Sequence, residues 1–258
     1  MAGPILVFDS GVGGLSVVQA LRRRLPDANL AYVCDNAMLP YGQREAVWLV
    51  QRIRAVCEAA VVASGCSALV VACNTASTLA LEVLRACLSI PVVGTVPAIK
   101  PAARVTRTGH IGLLATSATV SRPYTLRLIQ DFAADCRVTR VAADALVTEA
   151  ERLVAGGLPD RTNLRLALAP LWDDPLLDTV VLGCTHFPLL GSWLDEAAPW
   201  PVTWVDSSEA IARRVAQVVP VVAHRQGVET SFVTARDERL DKGLAAFGFA
   251  PPSLLHPA

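Results

Sequence analysis

Ala68-Leu69-Val70-Val71-Ala72-Cys73-Asn74-Thr75 and Thr179-Val180-Val181-Leu182-Gly183-Cys184-Thr185-His186 are two versions of one pattern, set in opposite halves of the chain. Each is a short apolar run that breaks into a cysteine followed by small polar residues. A run of this kind, bounded by polar residues, is a strand covered on both faces. Ligands of α/β sheets bind beyond the carboxyl ends of such strands. Two cysteines in that position, each followed closely by a threonine, imply a pair of thiols facing one another across a shared site.

Outward from these two stretches, short apolar runs alternate with longer amphipathic ones. Strands are expected at Ile5–Phe8, Leu30–Cys34, Ala68–Ala72, Val92–Gly94, Ile111–Leu114, Arg137–Val141, Thr179–Leu182, Val202–Val205 and Thr230–Val233. Helices are expected at Gly14–Arg24, Glu45–Ala63, Thr75–Ala86, Arg122–Ala134, Leu146–Ala155, Asn163–Leu171 and Ser208–Val219. This alternation predicts an α/β protein whose sheets are mainly parallel and flanked by helices.

The repeat is wider than the cysteines. Leu6-Val7-Phe8-Asp9-Ser10 parallels Gly112-Leu113-Leu114-Ala115-Thr116, and each precedes its cysteine strand by a similar interval. Two similar domains related by pseudo-twofold symmetry follow. Pro97-Ala98-Ile99-Lys100-Pro101 marks a crossing between them. Val205-Asp206-Ser207-Ser208 echoes the opening Phe8-Asp9-Ser10-Gly11, so the last fifty or so residues are expected to return to the first half. The expected division is 1–97 with 207–258 in one domain and 98–206 in the other, with the active site at their interface.

Composition narrows the function classes. The 258 residues are 53% hydrophobic and 18% charged, and Lys+Arg and Asp+Glu balance at 23 each. That describes a well-buried globular protein without the basic field that nucleic acid requires. No apolar stretch is long enough to span a membrane, and Asp9 interrupts the first apolar run too soon for a signal peptide. Seven cysteines, an odd number, with four histidines and no Cys-x-x-Cys spacing argue against a disulfide framework or a zinc site. Free thiols in this number point to the cytoplasm. Cys57, Cys66, Cys87 and Cys136 read as small buried hydrophobes.

Several short motifs surround the cysteines. Asp9-Ser10-Gly11-Val12-Gly13-Gly14-Leu15 follows a strand and opens a helix, so its backbone amides can hold a carboxylate or phosphate. A dinucleotide fold is the rival reading, with Asp35 in the place of a ribose-binding acid. However, Ser16 stands where the fingerprint needs its third glycine, and Asp9 would repel pyrophosphate. Around Cys73, Asn74 or Thr75 would cap a helix, and a thiol at a helix start has a lowered pKa. Cys184 comes with His186, which suits either proton exchange or a thiol hydrolase, although the hydrolase leaves Cys73 without a role. Pro40-Tyr41-Gly42 is a turn able to line a pocket, and Thr116 and Thr119 offer hydroxyls at another strand end. Glu151 lies in a helix with Glu149 and Arg152.

Taken together, Phe8-Asp9-Ser10-Gly11-Val12-Gly13-Gly14-Leu15, Pro40-Tyr41-Gly42, Ala72-Cys73-Asn74-Thr75-Ala76-Ser77, Gly112-Leu113-Leu114-Ala115-Thr116 and Leu182-Gly183-Cys184-Thr185-His186-Phe187-Pro188-Leu189-Leu190 resemble the cofactor-independent aspartate/glutamate racemase family. The resemblance runs from about residue 5 to about residue 245. It implies two-base racemisation of glutamate with no cofactor and no metal, for peptidoglycan synthesis, usually in a homodimer. It implies further that Cys73 acts on D-glutamate and Cys184 on L-glutamate. Asp9 would assist Cys73, and His186 and Glu151 would assist Cys184. Asp9, Ser10, Pro40, Tyr41, Gly42, Asn74, Thr75, Thr116, Thr119, Thr185 and His186 would surround the substrate. The chain departs from the family's pattern at Ser208 and in Asp35-Asn36-Ala37-Met38-Leu39, and Glu149 is the alternative to Glu151. A racemase or isomerase of aspartate or another small acid, a non-catalytic small-acid binding protein and a nucleotide-dependent oxidoreductase are the competing readings.

Overall fold

A computed structural model describes residues 3–219 and 223–257; positions 1, 2, 220–222 and 258 of the expected first domain lie outside the described residues. The strands are β1 (Ile5–Asp9), β2 (Leu30–Cys34), β3 (Ala68–Val71), β4 (Val92–Val93), β5 (His110–Ala115), β6 (Arg137–Ala142), β7 (Thr179–Leu182), β8 (Thr203–Val205), β9 (Thr230–Val233) and β10 (Ser253–Leu254). The helices are α1 (Leu15–Arg24), α2 (Ala46–Ser64), α3 (Asn74–Cys87), α4 (Ile99–Val105), α5 (Ser117–Val120), α6 (Pro123–Phe132), α7 (Ala145–Val154), α8 (Arg161–Leu168), α9 (Gly191–Ala197), α10 (Ser208–Val218) and α11 (Glu238–Ala246).

Two parallel sheets result. One has the order β10-β9-β2-β1-β3-β4 and the other β6-β5-β7-β8. The run β2-β1-β3-β4 and the run β6-β5-β7-β8 are the same topology met twice, which is the repeat legible in the sequence. After the second sheet is complete the chain pairs again with the first, β9 lying beside β2.

Alternation along the strands explains the layering. Ile5 and Val7 pack with Val17, Val18 and Leu21 of α1 and Ile211 and Val215 of α10 on one face. Leu6 and Phe8 pack with Leu49 and Ile53 of α2 and Leu84 of α3 on the other. The second sheet repeats the arrangement: Leu114, Val180 and Leu182 face α7 to α9, while Ile111, Leu113 and Val181 face Ile99 and Ala102 of α4. Every β1 residue is fully buried, so a one-residue slip in register would exchange the two cores.

Where the elements differ from expectation, capping and proline account for it. Helix α8 begins at Arg161 because the Asp160 carboxylate accepts from the amides of Thr162 and Asn163, and Pro170 falls in a separate 3-10 turn (Ala169–Leu171) after it. Asn74 is already helical, and Cys73 rather than Asn74 or Thr75 occupies the cap. Helix α4 was hidden by Pro101, which sits in its first turn, where no intrahelical amide bond is lost. Cys57 and Cys66 are buried as expected, but Cys87 at the end of α3 is exposed and Cys136 is half-buried, which corrects the reading of both as core residues. Among the described residues no helix is long and apolar enough to cross a membrane.

Candidate active site

The two cysteines occupy the same place in the two sheets. Phe8 pairs with Val71, and Leu114 pairs with Leu182; each cysteine follows two positions beyond. The Cys73 backbone is extended and its side chain makes no capping bond, so the thiol is left to the space beyond the strand end. Cys73 and Cys184 are nearly buried, and both line one cleft. All eleven expected substrate-side residues line it with them: Asp9, Ser10, Pro40, Tyr41, Gly42, Asn74, Thr75, Thr116, Thr119, Thr185 and His186. Glu151 does not; it lines a neighbouring cavity with Val12 and Arg152 and reaches the site through His186.

On this repeated scaffold the assisting groups are unlike. The position two beyond the cysteine is Thr75 in one half and His186 in the other. The end of the first strand is Asp9 in one and Ala115 in the other. His186 Nδ1 lies 3.7 Å from Cys184 Sγ, and its Nε2 is 2.8 Å from Glu151 Oε1. Ser10 Oγ lies 3.7 Å from Cys73 Sγ. The Asp9 carboxylate accepts from Ser10 N at 2.6 Å and from Thr185 Oγ1 at 2.8 Å. Glu149, the alternative to Glu151, is turned elsewhere: it accepts from Asn163 Nδ2, Asp160 N and Arg152.

The glycine loop serves a different purpose from the one expected. Its free amide does hold an anion, but the anion is the protein's own: Val12 N donates to Glu151 Oε1 at 2.8 Å. Its glycines admit the facing loop. A Cβ at Gly11 would stand 2.1 Å from Glu151 Oε1, and one at Gly13 would stand 2.5 Å from both His186 Nδ1 and Thr185 Oγ1. Ser16 Oγ, which breaks the dinucleotide fingerprint, lies 3.0 Å from Thr185 O and donates toward it and Gly13 O. The close packing of strand–helix loops from both halves is therefore what requires small residues here.

Burial and charge set opposite tendencies on the two sides. Burial, followed by the Asp9 charge, pushes the Cys73 thiol well above the ordinary cysteine range, contrary to the lowering expected of a helix start. Burial likewise raises Asp9, against the opposing influence of His186, Thr185 and Ser10. For His186, burial disfavours the charged ring, but its bonds to Cys184 and Glu151 outweigh that and hold it protonated well above its usual range. The protein thus presents a neutral thiol at Cys73 and an imidazolium against the sulfur of Cys184.

The Pro-Tyr-Gly rim is braced from behind. Tyr41 OH donates to Asp35 Oδ2 at 2.8 Å, Arg52 clamps the same carboxylate at 2.7 and 3.0 Å, and Thr234 Oγ1 donates at 2.6 Å. Asp35 is fully buried within this network, so it cannot hold a ribose, and the dinucleotide reading loses its acid. Leu39, Val147 and Gly183 also line the cleft and were not singled out in the sequence. Val147 was accessible from helical spacing alone, since it lies four residues before Glu151 on the same face of α7. Gly183 has a packing reason: a Cβ there would meet Ala115 Cβ at 2.9 Å.

One buried acceptor in the cleft is unsatisfied within the protein, Asn74 Oδ1. Buried polar atoms are normally paired, so it is available to a donor such as an ammonium group. Among the described residues the cleft lining contains no lysine, the side chain a Schiff base would use.

The profile of the Asp/Glu/Hydantoin racemase family matches residues 15–215. The glutamate racemase of Shewanella woodyi is 45% identical over 259 residues, which cover 97% of each chain. The crystal structure of Escherichia coli glutamate racemase in complex with L-glutamate and the activator UDP-MurNAc-Ala superposes with a TM-score of 0.93 at 40% identity, covering 99% of this chain and 100% of that one. The aspartate racemase of Picrophilus torridus shares the fold, with a TM-score of 0.51 at 15% identity over 86% of this chain and 96% of that one.

Proposed function

This chain belongs to the Asp/Glu/Hydantoin racemase family, and from that premise we propose that it interconverts L- and D-glutamate by proton transfer between Cys73, Cys184 and the α-carbon. It is an amino-acid racemase, an isomerase. Glutamate rather than aspartate is favoured by the near-complete match to glutamate racemases at 40% identity and above, whereas the aspartate enzyme shares only the fold. The single observation that carries the mechanism is the equivalent placement of two sulfurs on one cleft with unlike partners.

The chemistry follows from those partners. With the His186 imidazolium as counter-charge, Cys184 acts as thiolate and takes the α-proton of L-glutamate: the C–H bond breaks and an S–H bond forms. The carbanion is then protonated from the opposite face by the Cys73 thiol, which becomes the thiolate. D-glutamate runs the same steps in reverse. Asp9, whose own proton affinity is raised, serves as a proton partner near Cys73. The hydroxyls of Ser10, Thr116 and Thr119 and the backbone amides at the strand ends suit the substrate carboxylates, and Asn74 Oδ1 suits its ammonium. Stabilising the carbanion depends on these fixed dipoles in a site closed to water. The division 1–97 with 207–258 and 98–206 belongs to the same reading. So does a cytoplasmic homodimer that supplies D-glutamate for peptidoglycan with neither cofactor nor metal.

The deciding experiment is turnover of each enantiomer in deuterated water without added cofactor. Deuterium should enter the product enantiomer at once and the recovered substrate only later, because each face has its own base. Equal early labelling of both would indicate a single base, and no exchange with tight binding would indicate a binding protein.

A second expectation concerns pH. As pH rises through the elevated His186 value the imidazolium is lost, so activity should fall on that limb. His186→Gln should remove the limb and lower kcat/KM by about 10²-fold. The loss must be equal in both directions, since the enantiomers have the same free energy. Initial rates followed by circular dichroism from neutral to alkaline pH measure it; an unchanged alkaline limb would separate His186 from the chemistry.

A further inference from the structure

The charge inventory of the cleft is incomplete, given the glutamate reading on which this inference rests. A glutamate carries two carboxylates and one ammonium, and the reacting sulfur adds another negative charge beside Asp9. Among the described residues that line it the one cation is His186, beside Cys184. Ser10, Asn74, Thr75, Thr116 and Thr119, which line the cleft with Cys73, form a wall of neutral side chains.

Three residues beyond Thr119 is Arg122. It follows α5, which carries Thr119 into the cleft and sets Ala118 against the Gly42 turn, where a Gly42 Cβ would be 3.4 Å from Ala118 Cβ. The Arg122 side chain is half-buried. Its one protein bond is a long one, from Nε to Ala118 O at 3.4 Å, and among the described residues no carboxylate pairs with it. Other partly buried arginines here are paired, as Arg52 is with Asp35 and Arg22 with Glu229. A guanidinium that has given up water without gaining a counter-ion is poised to receive one. Burial makes its proton less firmly held, and a negative charge arising at Cys73 would oppose this; its Nε rests against the Ala118 carbonyl, next to the Thr119 that lines the cleft.

We propose that Arg122 is a specificity-determining residue, whose unpaired guanidinium supplies the positive field on the Cys73 side of the cleft and so selects a dicarboxylic amino acid over its neutral amide. It acts through space on the bound anion, where the low-dielectric wall makes the field stronger than it would be in water.

The test compares wild type, Arg122→Gln and Arg122→Lys in glutamate racemisation at low and moderate salt, with glutamine as a neutral competitive inhibitor. For Arg122→Gln, KM for both glutamate enantiomers should rise about ten-fold, with kcat changed less than about three-fold. The salt dependence of KM should flatten, and the glutamine inhibition constant should stay where it was. Arg122→Lys should recover most of the loss. Unchanged KM and salt dependence in an active Arg122→Gln enzyme overturn the inference while leaving the racemase reading intact. A parallel loss of kcat and glutamine affinity means a structural role and also overturns it. A wild type that does not racemise glutamate overturns the functional reading and this inference with it.

Discussion

Cys73→Ala should lose racemisation of glutamate by at least about 10⁴-fold, and Cys184→Ala should do the same, because each removes the only base or acid on one face of the α-carbon. Both side chains are nearly buried and small, so the folded structure should survive and the thermal midpoints should stay close to wild type. The residual chemistry distinguishes the two variants. Cys73→Ala keeps Cys184 beside the His186 imidazolium. It should slowly exchange the α-hydrogen of L-glutamate with solvent and return L-glutamate. Cys184→Ala keeps Cys73 with Ser10 and Asp9 nearby and should exchange D-glutamate alone. Serine at either position should not rescue turnover, since a hydroxyl is a far weaker acid than a thiol. Chiral chromatography with mass detection reads all of this. Racemisation within ten-fold of wild type by Cys73→Ala would end the two-base account.

Gly13→Ala should lower activity about 10²-fold without replacing a reacting group. The added methyl carbon would lie 2.5 Å from His186 Nδ1 and 2.5 Å from Thr185 Oγ1, well inside contact distance. Either the imidazole swings away from Cys184 or the two loops separate. A displacement of about 1 Å at a proton-transfer centre costs roughly 10²-fold in rate, and overpacking of this kind costs about 1–3 kcal/mol of stability. Gly191→Ala is the control, because Gly191 is helical and nothing lies within 4 Å of its would-be Cβ. It should leave both rate and melting temperature near or slightly above wild type. If Gly13→Ala matches Gly191→Ala in kcat/KM, the close approach of the loops has no catalytic importance.

The two sites differ in how much of each the chain spells out locally. The placement of the two cysteines at strand ends was legible in the chain, because a buried strand that ends in Cys-Asn-Thr or Cys-Thr-His carries its own signal of period and polarity. The reason for the glycines was not. Asp9-Ser10-Gly11-Val12-Gly13-Gly14 looks like a loop open to an external anion, and only the tertiary structure reveals that Glu151, distant in sequence, supplies the anion. Asp35 is a similar case. Its place after β2 invites a cofactor role, and the clamp by Arg52, Tyr41 and Thr234 withdraws it. A capping preference misled at Cys73, where burial and the Asp9 charge outweigh the helix start.

The chain alone carried the α/β class, the duplicated strand order and the two strands that end in a cysteine. All of these are written in local periodicity and in the contrast between apolar runs and the polar residues that end them. Folding in three dimensions set the partners: His186 with Cys184 and Glu151, Thr185 with Asp9, and Arg122 with no carboxylate among the described residues. Hydrogen bonds and electrostatic shifts depend on distances of a few ångströms between residues far apart in the chain, and no spacing along a sequence encodes those distances.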